Sequence, residues 1–404
     1  MRGLTWRLSV IVMSSYNRRT FPLILSLLAC LGLAFATGFG AYLLWGETGQ
    51  GNSQHSESLG VFWEVWDRVE KHFYGELPSA QERTYGAIRG ALDLLDDPYT
   101  VFVEPQPREL ERDRLRGTFG GIGVDLWRNV EGRMALSPYP GSPAERAELR
   151  EGDVLLAVDG QAITGEVTAD DARAWVRGEP GTTVTLTISR PPTPPFDLTI
   201  TREEIELPSV VWRVVDGTTD VGYVHIETFT QRTDVEVVAA LKELQAAAIS
   251  GLVLDLRGNA GGLIEPAITT ASQFLRDGVV LFEQGRDAEE RARPVRDGGI
   301  ATDIPMVVLV DGGTASAAEI VAGALQDYNR APLIGEPTFG KGAVQLIYDL
   351  SDGSSLHVTS ALWLTPNRHQ IEGEGLTPDV SVSRGDGSED EQISRAVAFL
   401  QEER

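Results

Sequence analysis

From Glu204 onwards the sequence alternates between short apolar runs and longer segments of helical periodicity. The runs have the length and composition of buried strands, and they lie at residues 221–226, 251–256 and 306–310. Repeated strand–helix units of this kind form a sheet that is covered by helices. The pattern therefore predicts an α/β core domain over residues 203–404.

Residues 117–202 differ from the rest, because they read as short strands separated by turns. A glycine-rich loop opens the segment, a Gly-Ser-Pro-Ala helix start follows at 141–144, and a strand closed by a turn occupies 152–160. Together these features resemble a PDZ domain. The resemblance implies that the C-terminal carboxylate of a peptide binds backbone N–H groups of the loop while the peptide adds as a strand. The peptide-binding residues implied are Gly121, Ile122, Gly123 and Val124.

The amino end carries a targeting signal. Arg2, Arg7, Arg18 and Arg19 precede an apolar segment at residues 21–45, which is long enough for a membrane-spanning helix. Positive residues before the segment favour a cytoplasmic N-terminus, with the remainder on the extracytoplasmic side. The prediction is a cytoplasmic stub and single-pass anchor over residues 1–46.

Two alternatives to a retained anchor stay open. Ala34-Phe35-Ala36 fits the end of a cleaved signal peptide. Leu27-Leu28-Ala29-Cys30 resembles a lipoprotein box. All three interpretations place the folded domains on the periplasmic or external side of the cell membrane.

A linker and two helices are predicted between the anchor and the PDZ-like segment, within residues 47–116. Residues 46–58 are rich in Gly, Ser, Gln and Glu, which is typical of a flexible linker. Apolar residues then follow helical spacing over 59–74 and again over 79–95. The aromatic stripe of the first helix is expected to be a packing face, and the same stripe would also suit the dimerisation arm of a homo-oligomer.

Composition excludes several classes of function. The formal net charge is −24 and the pI is near 4.6, whereas nucleic-acid binding requires a basic surface. The single cysteine, Cys30, lies in the apolar N-terminal segment. The five histidines are scattered without the spacing of a metal site. We therefore expect no nucleic-acid partner, no metal and no cofactor.

One serine and one lysine stand out chemically. Ser316 lies in a small-residue turn after an apolar run, and Lys341 lies between two glycines before a later strand. A serine hydroxyl is a weak nucleophile unless a base removes its proton. A lysine can act as that base when burial lowers its pKa. The pair predicts a Ser–Lys peptide hydrolase.

Two further elements would complete such a site. The strand at 251–256 runs into a glycine turn at 258–262, where the backbone can approach a substrate closely. Gln345 lies four residues after Lys341, so in a strand both would lie on one face. The amide is then expected to orient the amine by a hydrogen bond.

These motifs resemble the C-terminal processing peptidases, also called tail-specific proteases. The resemblance runs from about residue 62 to 380 and includes LDLRGNAGGL, GGTASAAEIVAGALQDYNRA and GEPTFGKGAVQ. It implies a ClpP/crotonase-like α/β protease core with an inserted PDZ-like domain. It also implies substrates with accessible C-terminal tails, a catalytic set of Ser316, Lys341 and Gln345, and an oxyanion hole formed by the N–H groups of Gly262 and Ala317.

The same residues allow other interpretations. Ser316 could cap a helix, Lys341 could be a surface residue, and Glu319 is expected only to interact with the helix dipole. At the level of the whole protein, the alternatives are a membrane-tethered, non-catalytic peptide-binding adaptor and an acyl-CoA enzyme of the crotonase type.

Overall fold

The computed structural model describes residues 59–385 and 390–402. The described residues divide into two units, with the boundary between Arg83 and Thr84. Within the described ranges, no helix has the length and apolar character needed to cross a membrane. The anchor predicted at residues 21–45 lies outside these ranges.

The helices predicted after the linker are confirmed as α1 (Gly60–His72) and α2 (Ala80–Leu92). Phe62 stacks on Trp66 with 6.5 Å between ring centroids. No residue of α1 is buried, however, so the described residues provide no core for its apolar stripe.

The next group of elements contains the PDZ-like segment. In chain order these elements are β1 (Val101–Val103), α3 (Pro105–Arg116), β2 (Thr118–Gly121), β3 (Val124–Arg128), β4 (Met134–Pro138), α4 (Pro143–Arg146), β5 (Asp153–Val158), β6 (Gln161–Ala162), α5 (Ala169–Val176), β7 (Thr183–Arg190), β8 (Thr193–Thr201) and β9 (Glu203–Glu206). Strands β3-β4-β5-β7-β8 form one antiparallel sheet, and β6 pairs with β5. Its own hydrophobic core lies between this sheet and α5, with Ile122, Leu126 and Leu186 fully buried.

The proline-rich stretch at residues 191–195 forms the turn and the start of the second strand of a surface hairpin. Pro194 and Pro195 lie inside β8, which pairs with β7 as an antiparallel hairpin. A proline cannot donate a ladder hydrogen bond, so it is tolerated in strands only at an edge. β8 is the last strand of its sheet, which explains why the two prolines fit there.

The remaining elements form the core domain. They are β10 (Val210–Val214), β11 (Val221–Ile226), α6 (Thr233–Ala246), β12 (Gly251–Asp255), α7 (Ile264–Ala271), β13 (Val279–Gly285), β14 (Glu290–Pro294), β15 (Met306–Val310), α8 (Ala317–Asp327), β16 (Leu333–Gly335), β17 (Ala343–Asp349), β18 (Ser355–Leu364), β19 (Val380–Ser381) and α9 (Glu391–Glu402). The main sheet has the order β10-β11-β12-β15-β16-β19, and all its strands except β10 run parallel. This is the predicted α/β fold.

A second sheet completes the core domain. Its order is β1-β18-β13-β14, and β17 pairs with β18. Val101 of β1 is opposite His357 of β18, so the stretch before the PDZ-like domain contributes a strand to the core domain. At the other boundary, β9 pairs with β2 across the base of the PDZ-like segment.

Candidate active site

Two loops that leave neighbouring parallel strands create the site. β12 and β15 are adjacent, with Asp255 opposite Leu309. Loops that follow parallel neighbours emerge at the same edge of a sheet, which is the usual place for a ligand in an α/β fold. The glycine turn after β12 and the Ser316 turn after β15 are therefore brought together by topology.

Ser316 has an unusual backbone conformation, with φ 53° and ψ −117°. Positive φ is strained for a residue with a side chain and persists only where the surroundings fix it. The Ser316 N–H donates to Glu319 Oε2 at 2.7 Å, and the preceding Ala315 N–H donates to Asn259 O at 2.9 Å. These contacts hold the serine at the start of α8.

The glycine turn lies directly against the serine turn. A Cβ atom on Gly261 would be 2.9 Å from both Ala315 O and Ser316 Cβ, and one on Gly262 would be 2.2 Å from Phe229 O. Both glycines also have φ above +100°. Only glycine fits this close approach. The Gly261 N–H is already bonded to Asn259 Oδ1 at 2.8 Å.

Glu319 connects the serine turn to the lysine turn, a role that the sequence interpretation missed. Its carboxylate is fully buried. It accepts hydrogen bonds from the backbone N–H groups of Ser316, Gly340 and Lys341 at 2.7, 2.7 and 2.9 Å, and from Thr338 Oγ1 at 2.6 Å. A buried carboxylate is stable when such donors replace water. Glu319 therefore holds the serine turn and the lysine turn together through one buried carboxylate.

Lys341 and Gln345 meet as predicted, although Lys341 precedes β17 and the strand has an irregularity between Val344 and Gln345. Lys341 Nζ donates to Gln345 Oε1 at 2.7 Å. Gln345 Nε2 in turn donates to the carbonyl oxygen of Tyr99 at 2.6 Å, which fixes the orientation of the amide. Lys341 Nζ also lies 4.9 Å from the centroid of the Tyr99 ring. The hydrogen bond of the amine goes to Gln345 and not to Ser316.

The environment of Lys341 favours its neutral form. Burial lowers the pKa of Lys341, because an ammonium group loses hydration in the protein interior. The carboxylates of Glu372 and Glu111 oppose this by favouring the charged form, and the net direction of the pKa shift is downward. A lysine with a lowered pKa is suited to accept a proton.

A cavity of about 640 Å³ contains the proposed reacting groups. Ser316, Lys341 and Gln345 line it together with Gly261 and Gly262. Apolar side chains cover other parts of its wall, contributed by Leu115, Leu263, Ile264, Pro266, Val344 and Ile347. Charged side chains, among them Glu111, Arg114 and Arg296, also line the cavity, so it offers both apolar and polar contacts to a polypeptide segment.

A buried ion pair supports the strand that leads to the glycine turn. Arg257 donates to both carboxylate oxygens of Asp255, and Tyr223 donates to the same carboxylate at 2.8 Å. Arg257 also bonds Asp390 and Gln392 at the beginning of α9, at 3.0 and 2.8 Å. Arg257 therefore connects the C-terminal helix to the base of the site.

The residues predicted to bind peptides lie elsewhere, in the PDZ-like domain. Gly121 ends β2, Val124 begins β3, and all four loop residues line a small cavity of about 120 Å³ with residues of α5. Gly123 has φ +70°, and a Cβ atom there would lie 2.5 Å from Ser142 Cβ. Glycine is therefore required in the loop.

The structure thus brings Ser316, Lys341, Gln345 and Gly262 to one cavity, with Ala317 directly after the serine as the first residue of α8. Glu319 could have been found from its sequence context, because it is the only charged residue in the apolar segment 315–325. The contribution of Tyr99 had no local signal, since it lies 246 positions from Gln345 in the chain.

Two family models match this chain. Residues 220–382 match peptidase family S41, and residues 135–190 match the PDZ domain family. A carboxy-terminal-processing protease of Bartonella bacilliformis is 37% identical over 340 residues, which cover 82% of this chain and 77% of the relative. A carboxyl-terminal-processing protease of Synechocystis sp. is 38% identical over 324 residues, covering 79% and 75%.

Among solved structures, a photosystem II D1 C-terminal processing protease is 33% identical with a TM-score of 0.46, covering 79% of this chain and 86% of that protein. The matches to the Bartonella and Synechocystis proteases cover most of this chain and most of each relative. The protein therefore belongs to the carboxy-terminal-processing proteases, serine-type peptidases of family S41 that carry a PDZ domain.

Proposed function

We propose that Ser316 is the nucleophile of this peptidase and that Lys341 is its general base. Neutral Lys341 takes the hydroxyl proton as Ser316 Oγ attacks the carbonyl carbon of the scissile peptide bond. The resulting ammonium group then donates its proton to the departing amine. Water hydrolyses the acyl-enzyme with Lys341 again acting as base, which restores both residues.

The oxyanion of each tetrahedral intermediate is proposed to lie between the N–H groups of Gly262 and Ala317. Such donors act strongly in a site from which water is excluded. Gly262 is preferred over Gly261 because the Gly261 N–H is already held by Asn259. Ala317 is suitable because it begins a helix, where backbone N–H groups favour negative charge.

One observation carries the assignment: the amine of Lys341 is half-buried, bonded to Gln345, and lines the same cavity as Ser316. A surface lysine would be hydrated and charged at neutral pH. The absence of a Ser316–Lys341 hydrogen bond is compatible with the role, because catalytic hydrogen bonds often tighten only when substrate binds.

The decisive experiment compares the wild type with Ser316→Ala on an unstructured polypeptide, using mass spectrometry to locate the cuts. We expect the variant to fold and to lose cleavage by several orders of magnitude. Ser394→Ala, at an exposed position of α9, is the matched control and should cleave normally. Retention of more than a few per cent of the activity by Ser316→Ala would reject the assignment. A wild-type protein that binds the polypeptide without cutting it would instead support the adaptor alternative.

The PDZ domain is proposed to receive the C-terminal tail of the substrate. Its loop residues Gly121 to Val124 border a groove between β3 and α5, which suits a carboxylate followed by an added strand. Deletion of residues 117–202 should remove the preference for substrates with a free C-terminal carboxylate. Unchanged preference would reject this docking role.

The location of the enzyme is a further proposal. The arginines and the apolar segment at residues 21–45 favour a single-pass anchor with the peptidase on the extracytoplasmic side. Its substrates would then be periplasmic or external proteins with accessible tails. Protease protection of right-side-out and inverted vesicles tests this orientation.

The exposed aromatic face of α1 is proposed as the contact of a homo-oligomer. Sedimentation of the Trp63→Glu variant against the wild type would test this contact.

A further inference from the structure

The free edge of β3 is the part of the PDZ domain to which a tail would add. β3 is an end strand that pairs on one side with β4. The Tyr139 N–H donates to Gly123 O, and the Asn129 N–H donates to Arg133 O, so positions 123 and 129 face β4. Because backbone groups alternate along an antiparallel strand, positions 124, 126 and 128 face outward.

Both outward-facing backbone groups of Leu126 are already occupied within the domain. The Leu126 N–H donates to Asp125 Oδ1 at 2.8 Å, and Leu126 O accepts from Arg173 Nη2 at 2.7 Å. Arg173 belongs to α5, across the groove, and its guanidinium also lies 3.5 Å from Asp125 Oδ1. Asp125 and Arg173 thus reproduce the pair of hydrogen bonds that an added strand would make at this position.

The position of Leu126 along β3 identifies which residue of a bound tail would pair with it. When the terminal carboxylate binds the loop at residues 122–124, the terminal residue lies beside Val124. Residues two apart share the same side of a strand, so the third residue from the end lies beside Leu126. Resting on the proposed docking role, we infer that Asp125 and Arg173 form an intramolecular cap on Leu126, which the third-last residue of a tail must displace to bind.

The cap is built to be exchangeable. The side chains of Arg173 and Asp125 are 39% and 53% exposed, so water surrounds much of both. Hydrogen bonds and ion pairs between exposed groups contribute little net stability. After displacement Arg173 keeps its hydrogen bond to Asp170 at 2.6 Å, and no charge is left buried and unpaired. A tail therefore competes with a weak internal partner, and the cap lowers the affinity of every tail.

The test measures tail binding by the full chain carrying Ser316→Ala, so that the probe is not cleaved. The probe is a fluorescein-labelled peptide that ends in Ala-Ala-Val with a free carboxylate, read by fluorescence anisotropy. Arg173→Leu frees Leu126 O and Asp125→Ala frees the Leu126 N–H. We expect either substitution to tighten binding about three- to tenfold, the value of one or two exposed hydrogen bonds.

A matched control and a modified probe separate this effect from a general change in the groove. Arg133→Leu removes another half-exposed arginine, at the β3–β4 turn, and should leave the affinity unchanged. N-methylation of the third-last residue of the probe removes the N–H that would reach Leu126 O. N-methylation of the third-last residue should weaken binding to the wild type and abolish the gain in affinity caused by Arg173→Leu. The N–H of the second-last residue faces away from β3, so N-methylation there should preserve that gain in affinity.

The possible outcomes are distinct. Free-carboxylate probes that bind equally to wild type and to both cap variants would overturn the cap while leaving the docking role intact. Weaker binding by both variants would also overturn it, because Asp125 and Arg173 would then be partners of the tail. A probe that fails to bind, or that binds equally well with an amidated end, would overturn the docking role and the cap together. Cleavage by Ser316 is measured separately and is unaffected by these readouts.

Discussion

The two sites of this protein hold their key groups in opposite ways. In the peptidase site, the fully buried carboxylate of Glu319 accepts four hydrogen bonds from the serine and lysine turns. In the peptide groove, the exposed pair of Asp125 and Arg173 occupies the backbone of Leu126. A buried network is strong and costly to break, whereas an exposed one exchanges readily. The reacting geometry is thus preorganised, and the recognition surface is left open to competition.

The largest expected effect comes from removing the base. Lys341→Ala should lower kcat by about 10³–10⁴-fold, because Ser316 then has no group to take its proton. Lys242→Ala removes an exposed lysine on α6 and should change nothing. Circular dichroism must show that both variants are folded. A Lys341→Ala enzyme with substantial turnover would mean that a different base serves Ser316.

Glu319→Gln should give the next largest effect and tests the buried side of the comparison directly. The amide keeps the shape of the carboxylate but turns an NH₂ group towards backbone or hydroxyl donors, which leaves buried donors unpaired. Each unpaired group costs about 1–3 kcal/mol of stability. We expect kcat to fall about 100-fold, since the serine and lysine turns lose their common anchor.

The control for Glu319→Gln is Glu236→Gln on α6. Glu236 also accepts from a backbone N–H and a hydroxyl, both of Ser209, at 2.7 and 2.8 Å. It does not line the catalytic cavity. We expect this control to lower the unfolding temperature with little change in kcat. Equal loss of kcat in both variants would show that Glu319 contributes to stability and has no particular role in positioning the catalytic groups.

The pH dependence of the cleavage rate tests the buried site at the amine of Lys341. Because burial lowers the pKa of Lys341, the neutral form grows as pH rises and predominates at a lower pH than for an ordinary lysine, whose pKa is about 10.4. The value of kcat/KM should therefore rise about tenfold per pH unit and then level off. Between the lowered pKa and the unfolded pKa the unfolded chain binds more protons, so stability also rises with pH in that window. A flat rate profile from acid to alkaline pH would contradict a titrating base.

The sequence predicted the α/β core, the PDZ-like unit and the meeting of Lys341 with Gln345, because each depends on local patterns. Apolar runs identify buried strands, and the separation of only four residues keeps Lys341 and Gln345 close, although Lys341 precedes β17. Contacts between distant segments had no such pattern. Tyr99 reaches Gln345, β1 joins β18, and Arg173 reaches β3 only after the chain has folded. The role of Glu319 was underestimated because a first-turn glutamate usually faces solvent.

Gln345→Leu should give the smallest of these effects on the reacting centre. The apolar side chain keeps Lys341 buried but removes the acceptor that orients its amine, so the maximal rate should fall about tenfold. An acceptor favours the charged form of an amine, so its loss should lower the pKa of Lys341 further and move the rate profile to lower pH. Gln284→Leu, on β13 of the same sheet, is the control and should leave the profile in place. A reduced rate without a shift would show that Gln345 positions the amine without affecting its protonation, which would make Tyr99 and the cavity wall responsible for its electrostatics.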